Sequence, residues 1–174
     1  MTSLPGAAAC ITALTLSGLS TRRFCFEGFL PTEKKEKAEI LEMLKEETRT
    51  MILYEAPHHL IRTLRELYGV LGNRKITICR ELTKKFETVL STTFEEALAL
   101  YEEEEPRGEY VLVIEGKSLL QKRKEKQEGF LELAIEEHMK RYEEAGMDRK
   151  EAMKMVAKDR GVSKREIYQY MLDK

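Results

Sequence analysis

This chain of 174 residues has little of what secreted, membrane-spanning or metal-binding proteins need. Its three cysteines, Cys10, Cys25 and Cys79, form no C-x-x-C pair and no Cys/His ligand spacing. Isolated thiols in apolar surroundings indicate reduced core residues of a cytosolic protein. No apolar run approaches the roughly 20 residues that span a bilayer, and the N-terminus lacks the charged segment of a signal peptide. We therefore expect a soluble, cytoplasmic protein that holds no metal and contacts no membrane.

An excess of charge of one sign is also missing from the chain as a whole. The formal net charge is −1, which argues against a protein that binds polyanions over its entire surface. Residues 1–116 carry 15 Lys/Arg and 19 Asp/Glu, whereas residues 117–174 carry 15 and 12. The C-terminal third is therefore the better contact for a phosphate backbone, although a solvated helical surface has a similar composition.

Short apolar runs alternate with helical patterns over residues 1–116, which is typical of an α/β domain. The link between the runs near residues 78 and 88 is too short for a crossover helix, so we expect that pair to be antiparallel and the sheet to be mixed. The patterns predict strands at 24–29, 50–54, 75–79, 86–91 and 109–114, and helices at 7–19, 32–47 capped by Thr32, 57–71 opened by Pro57, and 93–103 capped by Thr93.

Residues 117–174 are expected to form a helical tail. Residues 117–128 read as a linker or as the start of a helix, and residues 130–145 as an amphipathic helix. A helix capped by Asp148 and ended by Gly161 precedes a short last helix capped by Ser163. Two helices joined by a tight, glycine-containing turn resemble a helix-turn-helix, which leaves open both a nucleic-acid contact and an ordinary helical tail.

Polar and charged groups appear where two of the predicted strands stop. Residues 54–59 follow the apolar run 51–53, and residues 80–84 follow the run 76–79. Ligand sites of open α/β sheets form outside the carboxyl ends of strands, so these loops indicate a binding site. The alternative is a pair of ordinary loops held together by Glu55 and Arg80.

Five short motifs stand out along the chain: LPGAAA at 4–9, FEGFLP at 26–31, YEAPH at 54–58, RELTK at 80–84, and PRGE at 106–109 followed by VLV at 111–113. In combination they resemble the tetrapyrrole methylase superfamily and, within it, the branch of ribosomal RNA small-subunit methyltransferase I. The resemblance extends to the tail, through KEA at 150–152 and REIY at 165–168.

The resemblance implies a fold and an activity. We expect a three-layer αβα domain with a mixed sheet, binding S-adenosylmethionine in a cleft between two domains and transferring its methyl group to a cytidine 2′-oxygen of small-subunit ribosomal RNA. The family carries a further α/β domain ahead of the Pro-Gly segment, which this sequence lacks. We therefore expect the C-terminal half of such an enzyme, with weak or no activity alone. Ala7 and Ala8 also replace the Pro-Ser of the family, which removes a hydroxyl expected near the cleft.

The resemblance also implies roles for individual residues. Glu55 and His58 would take the proton of the reacting hydroxyl. The RNA would contact Arg80, Glu81 and Lys84. The methyl donor would contact nine residues: Pro5, Gly6, Ala7, Tyr54, Glu55, Ala56, Pro57, Gly108 and Glu109.

Each of these assignments has an ordinary structural alternative. Tyr54 would pack in the core, His58 would lie on the surface, and Glu109 would be a solvated strand end. Arg80 and Lys84 would form ion pairs with Glu81, Glu87 or Glu55.

Three functions remain open at this stage. The first is the ribosomal RNA methyltransferase half, which we expect to self-associate because the helix at 7–19 is apolar on most faces. The second is a non-catalytic RNA-binding or dimerisation module. The third is a methylase that acts on a porphyrin or corrin.

Overall fold

The computed structural model describes residues 8–172. The chain consists of two compact units, and the boundary between them follows Lys117. None of the helices described for these residues has both the length and the apolar character needed to cross a membrane.

A five-stranded mixed sheet forms the centre of the first unit. β1 pairs parallel with β2, β5 pairs antiparallel with both β2 and β3, and β4 pairs antiparallel with β3. Hence β1, β2 and β3 run in the same direction, and their carboxyl ends lie together at one end of the sheet. The predicted mixed sheet and the antiparallel pair β3–β4 are confirmed. The strands are β1 Phe24–Gly28, β2 Thr50–Glu55, β3 Lys75–Arg80, β4 Thr88–Thr93 and β5 Tyr110–Ile114, in the order β1-β2-β5-β3-β4.

Helices cover both faces of this sheet, as the α/β prediction requires. One face packs against α2, α3 and α4 through residues such as Leu53, Ile78 and Leu112, and the other packs against α1 through Ile52 and Val113. Because both faces are buried, the central strands are almost continuously apolar. The helices are α1 Ala9–Leu16, α2 Lys34–Lys45, α3 Leu60–Leu71 and α4 Phe94–Glu103.

Two helix starts differ from the prediction. Glu33 rather than Thr32 caps α2, because the Glu33 carboxylate accepts hydrogen bonds from the Lys35 and Glu36 N–H groups at 3.0 and 2.7 Å. Residues 57–59 form a turn, so regular α-helix begins at Leu60 and not at Pro57. Proline suits a turn as well as a first helical turn, and the sequence pattern does not separate the two.

Other boundaries differ by a few residues. The first helix is shorter than predicted, and β4 begins two residues later, at Thr88. Phe86 consequently lies outside the strand and is 66% exposed. The predicted cap of α4 is confirmed, since Thr93 and Glu96 form a reciprocal capping box.

The second unit is a set of four helices around a small core. The predicted helix 130–145 is interrupted, because Leu133 and Ala134 are extended and the Arg160 guanidinium donates a hydrogen bond to the Leu133 carbonyl. Residues 119–128 are helical, so the linker interpretation of this segment is wrong for them. The helices are α5 Leu119–Glu132, α6 Ile135–Glu144, α7 Arg149–Arg160 and α8 Lys164–Leu172.

A buried histidine joins these helices. His138 is 1% exposed and stacks against Phe130, with ring centroids 4.5 Å apart. Its Nδ1 accepts a hydrogen bond from Arg160 Nε at 3.3 Å, and its Nε2 faces Asp159 Oδ2 at 3.4 Å. Burial, followed by the nearby Arg160 charge, lowers the pKa of His138. The ring is therefore held neutral, with its proton on Nε2.

We expect the second unit to lose stability as the pH falls below about 6.5, the ordinary pKa of an unfolded histidine. Below this pH the unfolded chain binds a proton at His138 that the folded unit does not yet bind. The free energy of unfolding therefore decreases as the pH falls from the unfolded pKa to the lowered folded pKa, by at most about 1.4 kcal/mol per pH unit. Urea unfolding followed by the amide signals of Ala152 and Val156 at neutral and mildly acidic pH measures the change.

His138→Gln is the control, since an amide keeps polar atoms but does not titrate. The carboxylates with shifted pKa values all titrate below about 4.5 and do not contribute in this range. A pH dependence that survives His138→Gln would assign the effect to another group.

Candidate functional site

A cleft of about 530 Å³ opens at the carboxyl end of β2, next to the first residue of β5. This volume falls in the range of small-molecule sites. Its wall combines aromatic rings, a few backbone groups and two carboxylates. The residues that line it are Ala9, Phe29, Tyr54, Glu55, Ala56, Pro57, Glu109, Tyr110 and Val111.

Aromatic side chains form one side of the cleft. The Tyr54 ring packs edge-on against Phe26 and Phe29, with centroids 4.9 and 5.7 Å apart. The Tyr54 hydroxyl accepts a hydrogen bond from the Cys10 N–H at 3.2 Å, which ties the start of α1 to the end of β2. Burial raises the pKa of Tyr54, so the hydroxyl is neutral. Phe29 is 62% exposed and offers a free ring face to a ligand.

Glu55 is buried and holds the turn that follows β2. Its Oε1 accepts a hydrogen bond from the Ala56 N–H at 2.7 Å, and its Oε2 accepts one from the Thr63 hydroxyl at 2.5 Å. Both carboxylate oxygens are thereby engaged. The predicted alternative, an ion pair between Glu55 and Arg80, is not formed.

A second groove of about 370 Å³ lies beside the first and shares Phe29, Glu55 and Ala56 with it. Its other polar groups come from α2, α3 and the turn before α3. Lys37 and Arg62 both pair with Glu66, at 2.9 Å in each case. The further lining residues are Leu30, Pro31, Thr32, Lys37, His59, Arg62 and Thr63.

The loop after β3 is tied to the segment before β5. The Glu81 N–H donates to the Glu109 carbonyl at 2.9 Å, and the Glu109 N–H donates back to Glu81 Oε1 at 2.8 Å. Lys84 Nζ lies 3.1 Å from Glu81 Oε1 and 3.0 Å from Glu109 Oε2. The hydrogen bond from Glu109, followed by Lys84, lowers the pKa of Glu81. The contacts with Glu109 and then Glu81 raise the pKa of Lys84. We call these three residues the Glu81 clamp.

The clamp needs a glycine at position 108. Gly108 has φ +83°, which L side chains rarely adopt, and a Cβ placed there would lie 2.6 Å from Glu81 Cγ. Glu81 and Thr83 also have positive φ angles, of 51° and 67°. Such conformations cost free energy and persist only where the surrounding contacts enforce them.

Arg80 lies apart from the cleft. Its neighbour across the sheet is Tyr110, on the face that carries α3 and α4. Its Nε atom is buried and has no hydrogen-bond partner in the part of the chain that the structure describes. Arg80 lines neither the cleft nor the adjoining groove.

The remaining predicted site residues have mixed placements. His58 is exposed, packs at a tilt against His59 with ring centroids 4.1 Å apart, and lines neither cavity, whereas His59 lines the second groove. Pro5, Gly6 and Ala7 lie outside the described residues, but the Cys10 contact brings the chain just after them to Tyr54. Residues 8–172 contain no group of three or more potential metal ligands.

Sequence analysis did not identify two residues of the site. Phe29 lines both cavities and follows β1, whose carboxyl end lies beside that of β2. Its place at the carboxyl end of a predicted strand was a usable signal. Thr63 orients Glu55 from one turn into α3, and no sequence feature marked it.

Comparison with known proteins identifies the family. A family model described as Tetrapyrrole (Corrin/Porphyrin) Methylases matches residues 2–98, over half of the chain. The chain belongs to the tetrapyrrole methylase family. The resemblance predicted from the motifs is confirmed.

This tetrapyrrole methylase has relatives named Ribosomal RNA small subunit methyltransferase I. It is 45% identical over 166 residues to that of Halalkalibacterium halodurans, covering 95% of this chain and 56% of the relative. The Bacillus subtilis relative is 44% identical over 165 residues, with the same two coverages. The Synechocystis relative is 39% identical over 171 residues, covering 98% and 60%. The chain thus spans little more than half the length of these relatives.

A solved structure of a cobalamin biosynthetic enzyme, cobalt precorrin-4 methyltransferase, shows a more distant likeness. It superposes with a TM-score of 0.46 at 14% identity, over 63% of this chain and 50% of that chain.

Gly108→Ala should destabilise the first unit more than Gly28→Ala. Both glycines have positive φ, so each alanine meets a backbone cost of about 1–2 kcal/mol, but only Gly108 faces an occupied space. The added methyl must push Glu81 off the Glu109 N–H, and each lost hydrogen bond costs about 1 kcal/mol. Urea unfolding followed by circular dichroism compares the two variants.

A double-mutant cycle isolates the contact. In a Glu81→Ala background the cost of Gly108→Ala should shrink toward that of Gly28→Ala, because the obstructing side chain is gone. Equal costs of Gly108→Ala in the two backgrounds would rule out the steric explanation.

Proposed function

We propose that this chain supplies one wall of the methyl-donor cleft of an S-adenosylmethionine-dependent methyltransferase that acts on small-subunit ribosomal RNA. The observation that carries this proposal is the cleft itself. It joins the loops after β1 and β2 and the segment before β5, three of the motifs on which the family resemblance rests. The names of the relatives support ribosomal RNA as the acceptor.

The cleft fits this donor in size and chemistry. Phe29 and Tyr54 offer aromatic faces for an adenine ring or for the positively charged sulfonium. The Glu109 side chain is 81% exposed and presents a carboxylate to polar groups of the donor. The sulfonium supplies an activated methyl group, and the residues described here supply binding and orientation. Holding two reactants in line accounts for up to about 7–11 kcal/mol of a barrier.

Glu55 and His58 take different parts in this proposal. Glu55 is a positioning residue, since its two oxygens accept hydrogen bonds from the Ala56 N–H and the Thr63 hydroxyl and so fix the turn after β2. His58 is open to solvent and keeps the role of proton acceptor for a hydroxyl that approaches from outside the cleft. We assign the cytidine 2′-oxygen as that hydroxyl, following the family resemblance.

Lys84 and Glu81 affect RNA binding indirectly, through the Glu81 clamp. Because Lys84 already contacts two carboxylates, it contributes to RNA binding chiefly by fixing Glu109 at the mouth of the cleft. Arg80 is the register partner of Tyr110 and lines neither cavity, and we do not propose it as an RNA ligand.

Calorimetric titration of S-adenosylmethionine tests the proposal. We expect weak or no binding to this chain alone, because only one wall of the cleft is formed by the described residues. Binding should appear when the portion of the B. subtilis relative without a counterpart here is added in trans. The mixture should then transfer a labelled methyl group to small-subunit ribosomal RNA.

A matched pair of variants makes the test specific. Ala56→Leu fills the shared wall of both cavities and should abolish binding, whereas Ala99→Leu adds the same atoms to an exposed position of α4 and should leave it unchanged. Full turnover by the chain alone would contradict the split cleft. Transfer to a porphyrin or corrin and none to RNA would favour a tetrapyrrole substrate instead.

We also propose a cytoplasmic homodimer. Four exposed apolar residues of the first unit lie on edge strand β1 and on α1: Phe24 and Phe26 are 37% and 48% exposed, and Ile11 and Leu16 are each 45% exposed. Burying such a patch against a second copy is favourable. Fractionation of cells should recover the protein with the soluble cytoplasmic proteins; recovery with membranes would contradict this location.

Light scattering should therefore report twice the chain mass of 20.2 kDa. Phe24→Glu should give the single-chain mass because it places a charge in the apolar patch. Val89→Glu places the same charge on the opposite edge strand, β4, and should leave the dimer intact. A wild-type protein that stays monomeric at high concentration would refute the pairing.

A further inference from the structure

Three lysines form a straight row on α7. Lys150, Lys154 and Lys158 are spaced four residues apart, so they lie on one face of the helix, and all three are exposed. Ala152 and Val156 on the same helix are fully buried. A shift of two residues is a rotation of about 200°, so the row points away from Ala152 and Val156. We call these three residues the α7 lysine row.

The charges of this row are not neutralised within the described chain. None of the ion pairs found for residues 8–172 includes Lys150, Lys154 or Lys158. Exposed lysines of the neighbouring helices behave differently. Lys124 of α5 pairs with Glu128, and Lys140 of α6 pairs with Glu144, both in the i,i+4 arrangement. The residues that follow the three lysines of the row by four are Lys154, Lys158 and Val162, so no such pair forms.

Most acidic groups of α7 and α8 are engaged by their own unit. The Asp148 carboxylate caps α7, and the Glu166 carboxylate binds Ser163. Asp159 accepts a hydrogen bond from the Tyr142 hydroxyl and faces His138. Glu151 remains as an exposed carboxylate, and it carries no ion pair that would neutralise the row.

Further positive charge lies on the same two helices. Arg149 precedes it on α7, and Lys164 and Arg165 open α8 after a turn of three residues. All three are exposed, and none has an acidic partner among the described residues. The surface is therefore positive over both helices of the pair.

We propose that the α7 lysine row binds the phosphodiester backbone of RNA. Successive lysines of the row are about 6 Å apart along the helix axis, because four residues advance a helix by that distance. A linear array of positive charges fits a linear polyanion and releases its counterions. An acidic protein partner would need a buried apolar centre, and the row contains none.

This inference goes beyond methyl transfer. It concerns the second unit alone, and its test needs no methyl donor and no turnover. A failure of the lysine row to bind RNA leaves the cleft assignment untouched, and a failure of the cleft leaves the row untouched.

The test measures binding of the full chain to a fluorescein-labelled single-stranded RNA of mixed sequence and about 20 nucleotides, by anisotropy, from about 50 to about 200 mM KCl. The triple variant K150Q/K154Q/K158Q should bind at least about tenfold more weakly at the lowest salt. Its plot of log affinity against log salt should be less steep by about 2, since each phosphate contact on a single strand contributes about 0.7.

Two control variants exclude trivial explanations. The triple variant of Arg22, Lys34 and Lys35 to glutamine removes the same charge from exposed positions of the first unit and should keep the wild-type affinity. The variant K150R/K154R/K158R keeps the charge and should keep both affinity and slope. Circular dichroism verifies that each variant is folded, as expected for exposed helical positions.

Specific outcomes overturn the proposal. An unchanged salt slope in the glutamine variant would show that the row does not touch phosphates. An equal loss of RNA affinity in the first-unit control variant would show that the effect depends on net charge and not on the row. Competition by poly-L-glutamate as strong as that by RNA of equal charge would assign the row to an acidic protein.

Discussion

The antiparallel insertion of β5 between β2 and β3 is the constraint on which the site depends. Tyr110, the first residue of β5, is the register partner of both Glu55 and Arg80. The loops after β2 and β3 therefore leave the sheet on either side of one residue. The segment before β5 enters at the same place, which is why Glu109 reaches the cleft and the loop of Glu81. Without this strand, the motifs at 54–58, 80–84 and 106–109 would have no common location.

The sequence predicts the kind of fold well and its strand order not at all. Apolar runs of five or six residues, bounded by turn residues, predicted each strand to within about two residues. The short link between β3 and β4 predicted their antiparallel pairing. Nothing local indicates that β5 pairs with β2 and β3, because that choice depends on burying Val111, Val113 and their neighbours between two covered faces. Helix starts were missed where several residues competed as caps, as with Thr32 and Glu33.

The sequence predicted which loops lie together at the site, but it did not predict the contacts between their side chains. Strand ends rich in ionisable groups indicated residues 54–59 and 80–84, and the structure brings both to the carboxyl end of the sheet. The Glu55–Arg80 ion pair is wrong because Tyr110 stands between them, two strand spacings or about 9.5 Å across. The oxygens of Glu55 turn to Ala56 and Thr63 instead. Thr63 lies eight residues after Glu55, in a helix whose start was predicted at the wrong residue. Residue spacing alone therefore does not predict this contact.

The cations of the two units differ in how they are paired. Around the cleft, Lys84 contacts Glu81 and Glu109, and Lys37 and Arg62 share Glu66. These cations are already paired with carboxylates, and the pairs hold the loops and helices of the first unit together. Phosphate neutralisation needs cations whose pairing with the protein does not have to be broken first. Such cations lie on α7 and α8, whose carboxylates are largely spent on caps and on the His138 network. A chain of nearly zero net charge therefore still carries a surface of cations on α7 and α8 that are unpaired among the described residues, because most of the nearby acidic side chains are engaged within the fold.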